Sequence, residues 1–252
     1  MKKYVLVLGS KPDSKLPDVS VEKIYSGNGA AERATMYKKK YPNTKHIAVI
    51  TAKEFNENSH VSSRVIESNP EKMVVTMGKI DISEKLTNTK EILYLNQKER
   101  FNFQSKFYQM GKFDLIFGEI FFYENKFLKI LKHIYMCVKY RGFLGGTTGL
   151  YCVLMAAFEN PDSDIIVSGI GLVEGAHFYE SEDSYGFLSK KTKELIENKE
   201  SILENKFRNT SRCRVERFLV KRIKNEYKNR ILSTDDAMVY HGKLNKWKGN
   251  LF

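Results

Sequence analysis

Cysteine is scarce: Cys137, Cys152 and Cys213 are scattered without metal-ligand spacing. An odd, unclustered set argues against a disulfide framework and a zinc site and suits a reducing compartment. All three read as packing residues, and a cytoplasmic location is the expectation. Long apolar runs are also missing. The longest uncharged stretch, Gly142 to Phe158, is interrupted by glycine and threonine and falls short of the roughly 20 apolar residues that span a bilayer. After Met1-Lys2-Lys3 the run Tyr4 to Leu8 is too short for a signal-peptide core. There is no internal repeat and no low-complexity linker. What is present is core-forming material: 252 residues, 42% hydrophobic and 29% charged, enough for a domain that needs no staple. Lys and Arg number 42 against 30 Asp and Glu, and the resulting charge of +12 favours anionic partners: nucleotides, nucleic acid or an acidic lipid surface.

Short β-branched and aromatic runs alternate with polar segments of helical composition, which predicts an α/β fold around one parallel-rich sheet flanked by helices. Strands are predicted at Tyr4 to Leu8, Lys23 to Tyr25, His46 to Ile50, Met73 to Thr76, Glu91 to Leu95, Phe113 to Phe117 and Asp164 to Ser168. A turn is expected at Ser26-Gly27-Asn28-Gly29, followed by a helix over Ala30 to Lys40. Apolar residues at helical spacing predict a helix over Lys126 to Tyr140, ended by Gly142. Thr147 or Thr148 is expected to cap the next helix, which runs through Phe158. Mixed charge predicts a helix over Ser189 to Lys206, and a basic helix is expected over Arg214 to Asn229. The whole chain, 1–252, reads as a single α/β domain with a lid-like insertion at 171–212.

Four segments have the residue types that chemistry needs. Gly9-Ser10-Lys11-Pro12-Asp13-Ser14 follows the first strand, where α/β folds place ligands, but it is neither a Walker loop nor the three-glycine dinucleotide fingerprint. Gly145-Gly146-Thr147-Thr148-Gly149 opens a helix, where free amides favour a phosphate or carboxylate. An ordinary turn and a capped helix are the plain alternatives. Ser168-Gly169-Ile170-Gly171 is followed by His177, Tyr179 and Tyr185, a group able to accept a proton and to donate to a departing phosphate. Arg208, Arg212, Arg214 and Arg217 offer guanidinium forks for phosphate or carboxylate, with a solvated helix face as the alternative. His46 and His133 read as structural, and His60 and His241 as surface positions.

In this order the segments resemble the bacterial sialyltransferases of glycosyltransferase family 42, the Campylobacter capsule and lipooligosaccharide type. The resemblance rests on Thr147-Thr148-Gly149-Leu150-Tyr151-Cys152, Ile165-Ile166-Val167-Ser168-Gly169-Ile170, Phe178-Tyr179 and Ser184-Tyr185-Gly186-Phe187. With Gly9, Pro12 and Asn28 it spans about two-thirds of the chain. It implies a Rossmann-like, modified GT-A fold, a CMP-sugar donor as substrate, inversion at the anomeric centre, and no metal or other cofactor. By the same resemblance Gly9, Ser10 and Asn28 border the nucleotide, Thr147, Thr148 and Gly149 bind phosphate or donor carboxylate, and Tyr179 and Tyr185 assist phosphate departure. The chain departs from the family at three places. Ser10 stands where the family has Asn. Gly145 and Gly146 replace the Arg before the threonine pair, leaving Arg141 as the substitute. The family's histidine downstream of the tyrosines is absent, Phe207 and Arg208 standing there, so His177 becomes the candidate base.

The expectation is therefore a glycosyltransferase that moves a sialic-acid-like or Kdo-like 2-keto-3-deoxy sugar from a CMP-activated donor to a cell-surface glycan such as capsule or lipopolysaccharide. Its partners would be the nucleotide sugar and the glycan acceptor, with no specific nucleic acid. The basic tail Lys243 to Lys248 around Trp247 suggests peripheral contact with the inner membrane, a solvated terminus being the alternative. Rival classes are a basic nucleic-acid-binding protein, for which no reading motif is present, and a nucleotide or pterin pyrophosphokinase, for which acidic metal-binding pairs are not evident.

Overall fold

The structure, a computed structural model, describes residues 2–11, 14–57, 59–80, 86–111, 131, 146–172 and 211–252. The expected strand at Phe113 to Phe117, nearly all of the expected helix at Lys126 to Tyr140, the helix at Ser189 to Lys206 and most of the lid-like insertion lie outside the described residues.

Among the described residues eight strands form one sheet: β1 (Tyr4–Leu8), β2 (Lys23–Gly27), β3 (Lys45–Thr51), β4 (Lys72–Thr76), β5 (Glu91–Leu95), β6 (Asp164–Ser168), β7 (Ile231–Ser233) and β8 (Asn245–Lys246). Their order is β5-β4-β3-β2-β1-β6-β7-β8 and every neighbouring pair is parallel. In β1 the residues alternate between two cores. Val5 and Val7 enter one apolar cluster with Tyr25, Val49, Ile165 and Val167, while Leu6 and Leu8 enter another with Ile24 and Ile166. Burial of both faces explains why these strands read as continuous apolar runs.

One face is covered by α1 (Ala31–Lys40), which joins the Leu6 and Leu8 cluster through Ala34 and Tyr37, and by α2 (Ala52–Glu57) and α3 (Ser59–Ser68), which with Ala31 form a third cluster against β3 and β4. The other face carries α4 (Gln97–Tyr108), α5 (Thr148–Glu159) and α6 (Ser211–Lys221), all contributing to the largest core. Two short helices, α7 (Asn225–Lys228) and α8 (Asp236–Gly242), flank β7. This is a Rossmann-like α/β architecture, in agreement with the sequence patterning. The helix α5 is apolar on all sides because it lies within the core, every residue from Leu150 to Ala157 being buried. Its last carbonyls are closed by Arg230, whose guanidinium donates to Ala157 O, Asn160 O and Ser163 O.

Several expectations are corrected. The strand at Lys23 extends to Gly27, so Ser26 and Gly27 belong to β2 and the turn is a single 3₁₀ turn, Asn28–Ala30. The basic segment at 214–229 is two helices, α6 and α7, rather than one. Between them Ile223 turns into the core and the Lys224 amide donates to Phe107 O of α4 at 3.0 Å, a tertiary bond that replaces continued helix. His241 is half-buried rather than on the surface. Trp247 packs edge-to-face on Tyr4 at 5.6 Å and donates its indole N–H to Asn250 O. Among the described residues no helix is long and apolar enough to cross a membrane.

Candidate functional site

Strands β2 to β5 are laid out to one side of β1, and β6 to β8 to the other. The loops leaving the carboxyl ends of β1 and β6 therefore meet at the topological switch point, the crevice position at which parallel α/β sheets bind ligands. Two backbone bonds set the approach of those loops: Gly9 N–H donates to Ser168 O at 2.8 Å, and Lys11 N–H to Gly169 O at 2.9 Å. Gly169 adopts φ 86°, a left-handed conformation in which an L side chain is strained.

A buried ionic network fastens the two loops. Arg33 of α1 is 5% exposed; its guanidinium donates to Gly9 O at 3.1 Å, Ser14 O at 2.5 Å and Ser168 Oγ at 3.2 Å. Burial pulls its pKa down to about 10, with Asp235 opposing, so it remains a cation at neutral pH. Asp235, between β7 and α8 and also 5% exposed, accepts the Gly169 N–H at 2.6 Å and the Lys11 ammonium at 3.3 Å. Hydrogen bonds to an ionised group are among the stronger contributors to local rigidity.

The second half of the crevice is built from β2, β3 and α5. Asn28 is held at φ 46°, a left-handed position that asparagine tolerates better than most residues. Its Oδ1 accepts the Thr51 N–H at 3.0 Å and its Nδ2 donates to Thr148 Oγ1 at 3.3 Å. The Thr51 and Thr148 hydroxyls are hydrogen-bonded at 3.1 Å. A Cβ on Gly27 would stand 3.2 Å from the Gly149 amide nitrogen, so the end of β2 rests against the first turn of α5. Ile170 joins the two halves: a Cβ on Gly9 would lie 2.8 Å from its Cγ1, and one on Gly149 3.3 Å from its Cδ1.

The cap of α5 differs from the expectation. Thr147 occupies the N-cap position, yet its hydroxyl caps no amide. Instead its own N–H donates to Glu216 Oε1 of α6 at 3.0 Å, and Glu216 is buried. A protein carboxylate thus already sits beside the positive end of this helix, where the dipole favours it. The Thr148 hydroxyl is directed to Thr51 and Asn28.

No protein-family model, curated protein or solved structure matches this chain.

Of the expected site residues, Gly9, Ser10, Asn28, Thr147, Thr148 and Gly149 border this crevice at the ends of β1, β2 and the start of α5. Arg212 and Arg214 fall in the first turns of α6, the helix that carries Glu216. His177, Tyr179, Tyr185 and Arg141 lie outside the described residues. His46 is structural, as expected: it is fully buried, its Nε2 is 2.7 Å from Ser26 Oγ, and burial followed by the Lys38 charge pushes its pKa down to about 4. Cys152 is buried in α5, and burial pushes its thiol pKa up. Among the described residues, no group of three or more His, Cys, Asp and Glu is placed to hold a metal ion.

Four participants escaped the sequence reading, Arg33, Thr51, Glu216 and Asp235, while Lys11 was read only as part of the turn after β1. Only the parallel pairing of β6 with β1 and β7 brings Asp235 to the loop after β1.

Proposed function

We propose that the protein is a CMP-sugar-dependent glycosyltransferase of modified GT-A type, transferring a sialic-acid-like or Kdo-like 2-keto-3-deoxy sugar to a cell-surface glycan. The observation that carries this reading is the convergence at one switch-point crevice of Gly9, Asn28, Thr148, Gly149 and the Ser168-Gly169 turn, the motifs on which the family resemblance rests. Hydroxyls, amides and close glycine backbone in a crevice of this kind suit a nucleotide and its phosphate.

In the reaction the bond between the anomeric carbon and the phosphate oxygen breaks, and its electron pair leaves with CMP. The acceptor hydroxyl oxygen forms the new glycosidic bond and its proton passes to a base. Negative charge grows on the departing phosphate, so hydrogen-bond donors already oriented toward it lower the barrier. Tyr179 and Tyr185 are assigned as those donors, Arg141, Arg212 and Arg214 as forks for the phosphate or the donor carboxylate, and His177 as the base. The Thr51–Asn28–Thr148 cluster and the turn at Gly149 hold the nucleotide.

The test is incubation with CMP-sialic acid and with CMP-Kdo, following CMP release with and without EDTA, together with calorimetric titration of CMP. Release of CMP from either donor, insensitive to EDTA, supports the reading. No turnover and no binding of donors or CMP rejects it.

A further inference from the structure

Positive charge collects in the last part of the chain. Residues 211–252 carry eleven Lys and Arg against four Asp and Glu, more than half of the surplus charge of +12. The four carboxylates are engaged locally: Glu216 accepts the Thr147 N–H, Asp235 pairs with Lys11, Asp236 pairs with Lys246 at 2.9 Å, and Glu226 stands against Tyr227. Among the described residues no carboxylate pairs with Lys221 or Lys243, and both are exposed.

Four of the cations gather where α6, α7 and α8 meet. Arg217 and Lys221 are four positions apart on α6 and share a face. Lys228 of α7 donates to Lys221 O at 2.8 Å. A Cβ on Gly242 would stand 2.5 Å from Val220 Cγ1, so the end of α8 lies against the end of α6, and Lys243 follows at once. The crowding shows in the proton affinities: burial, then Arg217 and Lys221, lowers the pKa of His241, and burial, then Lys243, lowers that of Lys228.

Lys243 is costly in its backbone as well. It holds φ 51° at the C-cap of α8, a left-handed position that glycine favours, while Gly242 stands one place earlier, where a Cβ would collide with Val220. A lysine without a carboxylate, in a left-handed turn and close to a second lysine, is a local strain of the kind that collects at ligand-binding surfaces. An aromatic ring stands out beside it: Tyr240 is 67% exposed and meets His241 edge-on at 5.0 Å. Trp247, by contrast, is turned onto Tyr4.

Basic side chains around an exposed, amphipathic ring match the headgroup layer of an anionic bilayer, where lysines meet lipid phosphates and a tyrosine settles at the interface. A nucleic-acid strand calls for several stacking rings along a groove, and among the described residues this corner offers Tyr240 alone. We propose that the corner formed by α6, α7 and α8 docks on an anionic lipid surface through Arg217, Lys221, Lys228, Lys243 and Tyr240. This places the contact on a folded corner and not on the tail around Trp247, and it is independent of the nucleotide reading.

The experiment is co-sedimentation of the full chain with vesicles of phosphatidylcholine alone and of phosphatidylcholine mixed equally with phosphatidylglycerol. The parent should bind the mixed vesicles, release them as salt rises, and ignore the neutral ones. Each lysine near such a surface is worth about fivefold in partitioning, so the double variant Lys221→Gln/Lys243→Gln should bind roughly 20- to 30-fold more weakly. Tyr240→Ser should weaken binding without altering its salt dependence. Lys45→Gln/Lys53→Gln removes the same charge at the two ends of β3, four strands from β7, and should stay within about twofold of the parent, those charges being farther away than a Debye length. Urea midpoints equal to the parent's show that the variants fold. Four results overturn the proposal: no preference for mixed vesicles, equal losses in the two double variants, parent-like binding by Tyr240→Ser, or tighter binding of single-stranded polyuridylate than of mixed vesicles. CMP titration reports on the nucleotide reading separately, so either can fail without the other.

Discussion

Gly9 and Gly169 meet backbone to backbone where β1 and β6 end. A Cβ on Gly9 would stand 2.6 Å from the Gly169 carbonyl carbon, and one on Gly169 would stand 2.5 Å from the Gly9 carbonyl oxygen. Neither atom can give way without parting β1 from β6, because Gly9 N–H is bonded to Ser168 O. Gly9→Ala should therefore destabilise the protein by about 1–3 kcal/mol or more, the usual range for overpacking against rigid neighbours. Gly27→Ala, whose Cβ would meet Gly149 N at 3.2 Å, should cost less. Urea unfolding midpoints decide the matter; an order in which Gly27→Ala is the more damaging contradicts the geometry.

The cluster of Thr51, Asn28 and Thr148 yields a second expectation. Thr51→Val keeps the side-chain shape and removes the hydroxyl bonded to Thr148 Oγ1. A lost hydrogen bond of this kind is worth about 0.5–1.5 kcal/mol. Asn28→Ala loses the side-chain bonds to Thr51 and Thr148 and puts alanine at φ 46°, so its cost should be larger. CMP affinity should fall in the same order in titrations. Parent-like affinity in Asn28→Ala would remove this cluster from the binding site.

Glu216 offers a test of opposite sign. Glu216→Gln keeps an oxygen for the Thr147 N–H but removes a negative charge beside the start of α5. Anion binding at that turn should strengthen by about 0.3–1 kcal/mol, the scale of a single charge at a helix terminus. CMP titration at low salt measures it, and a weaker affinity would show that the carboxylate contributes something other than local charge.

His46 makes stability depend on pH. Its folded pKa, about 4, lies below the unfolded value, mainly through burial. Between those values the unfolded chain binds the extra proton, so stability is complete above about pH 6.5 and declines as pH falls toward 4. The full loss is on the order of 3 kcal/mol. His46→Gln should flatten that part of the profile in urea unfolding at pH 7, 5.5 and 4.5. An unchanged slope would assign the acid sensitivity to other groups.

Cys152 should resist alkylation in the folded protein, because burial raises its thiol pKa and hides the sulfur. Peptide-resolved mass spectrometry after iodoacetamide at pH 8, with and without denaturant, checks this. Labelling of native Cys152 would show that α5 opens readily.

Sequence patterning located β1, β5 and β6 to the residue, because short apolar runs between polar or turn residues leave little choice of boundary, and α1 to within one position. It did not find β7 and β8, which are three and two residues long and too short to show a period. The helix α4 had a readable signal that went unused: Asn96 accepts the Glu99 N–H while Glu99 accepts the Asn96 N–H, a complete capping box. The site was legible where glycine and threonine cluster locally, at Gly9 and at Thr147 to Gly149. It was illegible where partners meet only through sheet order. Lys11 and Asp235 are separated by 224 positions, and nothing near either residue announces the other. The split of the basic segment at Ile223 was hidden for the same reason, since the partner of the Lys224 amide is Phe107.

The pairing of β1 with β6 also orders events during synthesis. The first strand is made well before the neighbour on one of its sides, which begins only at Asp164. Until then the growing chain presents an open, apolar strand edge of the kind that invites association with other nascent chains. The crevice must wait longer still, because Asp235 holds Gly169 and the backbone of Asn250 and Phe252 pairs with Asp18 and Leu16 just beyond the first loop. The loop arrangement at the switch point is therefore complete only after Asp235 has been made, and chains arrested before it should lack that arrangement however well their first five strands have folded.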